Sequence, residues 1–280
     1  MNRRDIENLA LEFTENSPLN IIPAEKALEP HIVGMRIFDP PIFGCASAAD
    51  PLFKTFKETP SALLPGLRLP GEWLTDAAAV LSFFLPFTEN IRRENARDMT
   101  TASPAWQNAR IEGQEFINAL SALLCEGIKT AGFGAIAPSI DLAFAARPIP
   151  PEENGGELGF TSNWSERHAA FAAGLGTFSI TRGLITRKGM AGRFGSVITS
   201  LEIPPDTRDY EGVYDYCIKC GACARNCPAG AISVDSIKKH APCRAFMDAS
   251  KNPRPPYYGC GKCQVGVPCE SGIPARALSR

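Results

Sequence analysis

Near the start of the chain, Ile6, Leu9, Leu11 and Phe13 recur between acidic residues, the spacing of an amphipathic helix with one face turned to a core. Gly34 to Gly44 mixes strand-forming residues with prolines and reads as irregular cover, whereas Asp50 to Lys57 opens like a capped short helix. The run 77–87, Ala-Ala-Ala-Val-Leu-Ser-Phe-Phe-Leu-Pro-Phe, is apolar almost throughout, as in a strand buried on both faces. Past the charged stretch 89–97, the apolar stripe Trp106, Ile111, Phe116, Ile117, Leu120, Leu123 and Leu124 predicts a long helix from Pro104 to Lys129. Gly132 to Pro138 reads as a return to the sheet and Gly155-Gly156 as a turn. Ser165 to Ala173 reads as a helix stopped by Gly174-Leu-Gly176, and 183–186 and 196–203 as two strands flanking a Gly/Arg-rich loop. This order predicts an α/β (α+β) domain with a mixed sheet and packed helices.

The last quarter is patterned by cysteine. Cys217-x2-Cys220-x2-Cys223-x3-Cys227-Pro228 is the bacterial two-cluster ferredoxin spacing, in which the fourth cysteine serves a second cluster. Four more cysteines should then follow, and Cys243, Cys260, Cys263 and Cys269 do. Exchange between the halves predicts one [4Fe-4S] cluster on Cys217, Cys220, Cys223 and Cys269, and another on Cys227, Cys243, Cys260 and Cys263. The second set is the less regular: Cys243 stands apart, and Cys269 follows Cys263 by six positions. Zinc usually draws its ligands from two separated C-x2-C pairs, and disulfide frameworks belong to short secreted chains. Cys45 and Cys125 sit among small and apolar neighbours and read as buried structural thiols.

Eight of the ten cysteines lie behind the Pro/Asp-rich stretch 203–210, which reads as a linker. The expected organisation is therefore an α/β domain over 1–205 and a ferredoxin-like domain with two clusters over 206–280. A net charge of −1 gives no general attraction for nucleic acid. Arg3-Arg4 is not followed by an apolar signal region, and no stretch reaches the roughly 20 apolar residues that span a bilayer. The expectation is a cytoplasmic protein with no membrane contact, where low-potential clusters persist.

The stretch Glu166-Arg-His-Ala-Ala-Phe-Ala-Ala-Gly-Leu-Gly176, with Ser179, Leu184-Ile-Thr186, Gly195-Ser196 and the cysteine run after it, resembles the epoxyqueuosine reductase family. Cys227-Pro-Ala-Gly-Ala-Ile232, His240-x2-Cys243-Arg and Tyr258-Gly-Cys-Gly-Lys-Cys-Gln264 extend the resemblance over roughly residues 160–270. It implies kinship with reductive dehalogenases, a nitroreductase-like corrinoid-binding domain, and a cobalamin beside two [4Fe-4S] clusters. Composition and periodicity do not themselves point to a corrinoid. By the same resemblance Thr177, Phe178, Ser179, Thr186, Gly195 and Ser196 become candidates for corrin contact, although ordinary turn and strand-end roles would also explain them.

Two departures bear on substrate. The family has an aspartate, proposed as proton donor, six residues before the Glu-Arg pair, and here that count lands on Phe160. The chain also ends eleven residues after Cys269, where tRNA-acting members continue into a helical-repeat region. Nucleic acid is thus an unlikely partner, and a small-molecule substrate with a low-potential donor such as ferredoxin or flavodoxin is expected. Glu166 and His168 are the candidate acids, histidine being suited to proton transfer near neutral pH. A structural ion pair and a surface histidine are the plainer readings of the same residues. Arg182, Arg187, Lys188 and Arg193 form a short basic cluster fit for an anion or for solvent. The expectation is an iron-sulfur oxidoreductase passing electrons to a corrinoid. Its rivals are an electron-transfer or corrinoid-handling protein without substrate chemistry, and the same fold with a flavin.

Overall fold

The computed structural model describes residues 1–58, 66–153, 156 and 159–278. Helix α1 (Arg3–Asn16) begins where the Asn2 side chain accepts from the Arg4 and Asp5 N–H groups while Asp5 accepts from the Asn2 N–H, a reciprocal cap. Strand β1 (Ile42–Ser47), helix α2 (Pro51–Glu58) and the single turn α3 (Pro70–Trp73) follow. Next come β2 (Ala79–Pro86), α4 (Glu89–Ala96) and the long α5 (Pro104–Thr130). Ser103 caps α5 through the Trp106 N–H, and Pro104 occupies its first turn, where a missing N–H costs nothing. Then come β3 (Ala135–Ile136), β4 (Ala146–Ile149), β5 (Gly159–Ser162), α6 (Glu166–Ala172), β6 (Gly176–Phe178), β7 (Leu184–Thr186) and β8 (Gly192–Thr199). The cysteine-bearing part carries α7 (Ala222–Arg225), α8 (His240–Ala249) and α9 (Ala275–Leu278).

The central sheet runs β1-β2-β8-β3, and its pairs are antiparallel, so the mixed sheet expected from element order is not formed. Element order cannot reveal strand direction when β2 pairs with a strand more than a hundred residues later. Strand β2 is buried along its whole length, as its unbroken apolar run predicts. Alternation divides its side chains between two cores. Leu81, Phe83 and Leu85 join Val197 and the apolar stripes of α1 and α5 on one face. Val80, Phe84 and Ile198 join Trp164, α2 and α6 on the other. Within the α5 stripe, Trp106, Phe116, Ile117, Leu120 and Leu124 are buried, whereas Ile111 and Leu123 lie at its margins. The charged segment 89–97, whose pattern gave no element, is α4, anchored by Ile91 and Asn95 alone.

The expected strands at 183–186 and 196–203 are present with shifted limits. Strand β7 pairs with β6, and β8 starts at Gly192, so the second part of the Gly/Arg-rich segment is sheet rather than loop. Helix α6 stops at Gly174, whose φ of +78 is a left-handed conformation natural to glycine. The turn expected at Gly155-Gly156 lies partly outside the described residues; Gly156 is in a turn, with φ +87. Cys45 and Cys125 are buried as expected, and burial pushes their thiols up to about 12 and about 11.

The stretch expected to be a linker is fastened along its length. Asp206 accepts from Arg3 Nη1 at 2.7 Å and from the Cys45 N–H at 3.0 Å, Arg208 Nη1 reaches Asp50 at 2.6 Å, and Tyr210 donates to the Phe171 carbonyl at 2.6 Å. Farther on, buried Lys262 donates to the Asn95 carbonyl and side chain at 2.6 and 2.8 Å, and Asn95 donates to the Cys260 carbonyl. Gly261 lies flat on the Trp106 indole, where a Cβ would collide with the ring. Among the described residues no helix is long and apolar enough to cross a membrane. Trp106 packs against Phe87 as well as Gly261. Trp106→Ala should therefore destabilise the protein by ~3–5 kcal/mol, measured by urea unfolding under anaerobic conditions. A loss below ~1 kcal/mol would mean that this contact does not fasten the cysteine loop.

Candidate functional site

The Cys217 loop is wound tightly enough to bring its thiols together. Lys219 (φ +49) and Gly221 (φ +74) turn left-handed, and α7 follows at once. Cys217, Cys220, Cys223 and Cys269 line a single cavity, closed by Ile185 and Val267. The late Cys269 thus stands with the first three cysteines, the arrangement that exchange between the halves requires. Burial first, and then the neighbouring Cys217, Cys223 and Cys220, push its thiol up to about 12.

Cys227 turns away from this cavity and its sulfur accepts from the Ala231 N–H at 3.3 Å. Burial raises the Cys260 thiol, with Cys243 and Cys227 adding to the shift. Cys263 is pushed up to about 12, again by burial first, with Cys260, Cys243 and Cys223 acting in the same direction. The second four are therefore neighbours, and Cys223 and Cys263 bring the two sets side by side. No three His, Cys, Asp or Glu side chains among the described residues stand as close as one metal ion would need. The first four thiols instead surround a space, which suits a cubane whose thiolates each bind a different iron. Because thiolates and not thiols are the ligands, assembly of either cluster must displace protons from these buried groups.

The two candidate acids do not come together. Glu166 and His168 project from opposite sides of α6. Both Glu166 carboxylate oxygens are buried without a partner in hydrogen-bonding geometry. Burial raises its pKa to about 7, a shift tempered by Ser196, Ser139 and Trp164 nearby. His168 lies between the Phe56 and Phe178 rings, with centroids at 4.9 and 5.0 Å, and its Nδ1 is 2.8 Å from Ser165 Oγ. Burial and then Arg167 push it down to about 4, so it is neutral at physiological pH. Burial thus moves the two groups in opposite senses, Glu166 toward its protonated form and His168 toward its neutral form. Phe160 on β5 is 48% exposed and stacks on His240, at the start of the helix bearing Cys243.

The hydroxyls expected at a corrin each make hydrogen bonds within the chain. Thr177 accepts from the Tyr216 N–H, and Ser179 bonds Thr181 and the Gly183 carbonyl beside the first cysteine cavity. Thr186 donates to the Gly189 carbonyl, and Ser196 accepts from the Trp164 indole at 3.0 Å. Gly195 lies under the Phe83 ring with no room for a Cβ. Of these six candidates, half-buried Phe178 packs on His168 and Ser196 lies beside Glu166.

Sequence reasoning singled out neither Arg167 nor Arg110. Arg167 is exposed and donates to the Arg182 carbonyl at 2.7 Å, and Arg110 donates to the Tyr258 hydroxyl at 2.8 Å. A large surface groove lined by Arg3, Glu7, Arg187 and Asp206 holds none of the candidate acids.

An α/β fold with a cysteine segment so arranged defines an iron-sulfur protein, and residues 210–233 match the 4Fe-4S binding domain family. Cys217, Cys220, Cys223 and Cys227 fall within that match. No curated protein is similar to the chain in sequence. Among solved structures it is similar to a reductive dehalogenase described as suggesting a mechanism for B12-dependent dehalogenation, at 16% identity and TM-score 0.54, covering 85% of this chain and 31% of that one. It is also similar to selenomethionine-labelled epoxyqueuosine reductase (17% identity, TM-score 0.51, 83% of this chain and 62% of that one) and to epoxyqueuosine reductase from Streptococcus thermophilus (18%, 0.50, 98% and 68%). The chain thus spans about a third of the dehalogenase's length and about three fifths of the first reductase's. The fold is the one these reductases share, in agreement with the resemblance read from residues 160–270.

The raised pKa of Glu166 has a consequence for stability. The folded protein keeps a proton that the unfolded chain releases near 4.5, so this contribution is full below pH 4.5 and is lost as pH rises through 7. Between pH 4.5 and 8 the native protein should lose about 3 kcal/mol relative to Glu166→Gln, read from urea unfolding at each pH. Parallel profiles would contradict the burial of this carboxyl.

Proposed function

We propose that the protein is an iron-sulfur oxidoreductase that holds two [4Fe-4S] clusters and a corrinoid and reduces a small molecule. The observation that carries this reading is the sorting of eight cysteines into two neighbouring sets, with Cys269 beside Cys217, Cys220 and Cys223. Cys227, Cys243, Cys260 and Cys263 would hold the second cluster. Of the eight, Cys220 is the exposed one. The bound cofactors would supply single electrons at low potential and a cobalt centre able to accept them.

A large polar cofactor would lie between the α/β domain and the cysteine segment, near where Arg110 donates to the Tyr258 hydroxyl. Around it the chain positions charge and excludes water. Glu166, half-protonated near neutral pH, is placed to hold a proton, while neutral His168 lines an aromatic wall. A ferredoxin- or flavodoxin-like donor would meet the exposed Cys220 side, and the reducing cytoplasm is the fitting compartment. The division into domains at 205/206 belongs to the same proposal. A second reading is favoured by Phe160, an apolar ring at the position where the family's aspartate is expected: an electron-transfer or corrinoid-handling protein without its own substrate.

Anaerobic reconstitution should give about eight iron and eight sulfide per chain. Cys227→Ala should lower both toward four while leaving the Cys217 set loaded. A native value near four would mean that only one set holds a cluster. Added cobalamin should bind with a shifted visible spectrum and be reduced once the clusters are charged with dithionite. Binding and reduction without turnover of any tested substrate would favour the second reading, and a protein that loads both clusters but no cobalamin would eliminate the corrinoid.

A further inference from the structure

A buried cation sits between two members of the second cysteine set. Lys262 follows Cys260 by two residues and directly precedes Cys263, and it is 1% exposed. Its Nζ donates to the Asn95 carbonyl at 2.6 Å and to Asn95 Oδ1 at 2.8 Å. The Asn95 amide donates in turn to the Cys260 carbonyl at 2.9 Å, so the ammonium stands two hydrogen bonds from the backbone of a ligand cysteine. Both of its acceptors are neutral. Lys262 forms no ion pair among the described residues, whereas Lys26, Lys54, Lys57 and Lys251 each do. Asp98, a carboxylate that acts on it from a distance, is exposed and accepts instead from the Thr100 and Thr101 hydroxyls at 2.6 Å.

Fastening Cys260 to α4 does not by itself call for a charge, because a neutral amide could donate to the same oxygens, and an enclosed cation without an anion is costly. The second cysteine set supplies the anion. Four thiolates on a cubane leave a net negative charge that grows by one on reduction, and net charge is among the factors that set a cluster's potential. A cation held in the low-dielectric interior acts on that charge far more strongly than one in water. The first set is arranged differently. Lys219 and Arg225, on either side of Cys220, are exposed, and the strongest charges acting on Cys223 and Cys269 are thiols of their own set.

We propose that Lys262 is the counter-charge of the second cluster and raises its reduction potential above that of the first. One electron then moves from the first cluster to the second, the first returning to its oxidised state as the second is reduced, and no proton is needed. The electron thus runs away from exposed Cys220, where a donor would meet the chain. This role depends on the two-cluster reading above and gives the two clusters an order.

The test uses the full chain, reconstituted anaerobically, with its iron counted before a dithionite titration followed by electron paramagnetic resonance. The native protein should reduce in two steps. Lys262→Gln, which removes the charge but keeps a donor for Asn95, should lower the midpoint of the second cluster by about 59 mV or more, a tenfold fall in its one-electron reduction constant. Lys262→Arg should hold that midpoint near the native value, which a merely mechanical strap would not require. Cys227→Ala, which retains only the first cluster, assigns the steps: its single midpoint should lie below the higher native one, whether or not the Lys262 variants assemble their clusters. A Cys227→Ala midpoint at or above that step overturns the proposal. So does an unshifted second cluster in fully loaded Lys262→Gln, or an equal fall in Lys262→Gln and Lys262→Arg. Iron near about four per native chain would instead defeat the two-cluster reading and the proposal with it, whereas about eight with unshifted midpoints defeats the proposal alone.

Discussion

A cubane fixes the positions of four sulfur atoms, yet the segment that carries these sulfurs has little core of its own. Helix α8 buries no residue fully, and the small cluster around Cys223 contains only Ile180, Ala222, Ile232 and Val267 besides. Attachment to the α/β domain must therefore supply the rigidity. Lys262 provides much of it, because its buried ammonium has both the carbonyl and the side-chain oxygen of Asn95 as acceptors and would be costly to bury without them. Gly261 on Trp106, Val265 in the main core and the Tyr216 N–H on Thr177 complete the attachment. Polar strap and apolar docking together place Cys260 against α4, and Cys217 and Cys269 against the second core.

That attachment explains which residues were legible in the sequence. The cysteines were, because a cluster constrains spacing along the chain as strictly as it constrains distance in space, and even Cys269, out of regular step, falls where exchange puts it. The stripe of α5 and the apolar run of β2 were legible because burial repeats with the period of the element. Helix α4 was not, since two buried side chains in eight residues leave no periodic trace. Thr177, Ser179 and Thr186 are corrin candidates by family resemblance alone, since a hydroxyl near glycines suits a ligand and a turn equally well. The chain uses them to close turns and to receive Tyr216.

Contacts between separate elements were the least legible. Arg110 belongs to a helix that reads as core and Arg167 to a Glu-Arg pair that reads as structural, and only packing shows that the first meets the Tyr258 hydroxyl and the second the Arg182 carbonyl. The same packing gives the two α6 side chains opposite characters: Glu166 is driven toward its protonated form and His168 toward its neutral form by burial, with Arg167 strengthening the second effect. Sequence adjacency suggested a shared duty, but the helix separates them onto two faces.

The central claim is that eight thiols hold two clusters as neighbours, with ligands exchanged between the halves. Electron paramagnetic resonance of the dithionite-reduced protein tests it most directly, because two paramagnetic centres this close must couple magnetically. The account predicts about two spins per chain in a broadened, split spectrum that collapses to a simple one-cluster signal in Cys227→Ala. A single unsplit signal of one spin in the native protein would contradict it.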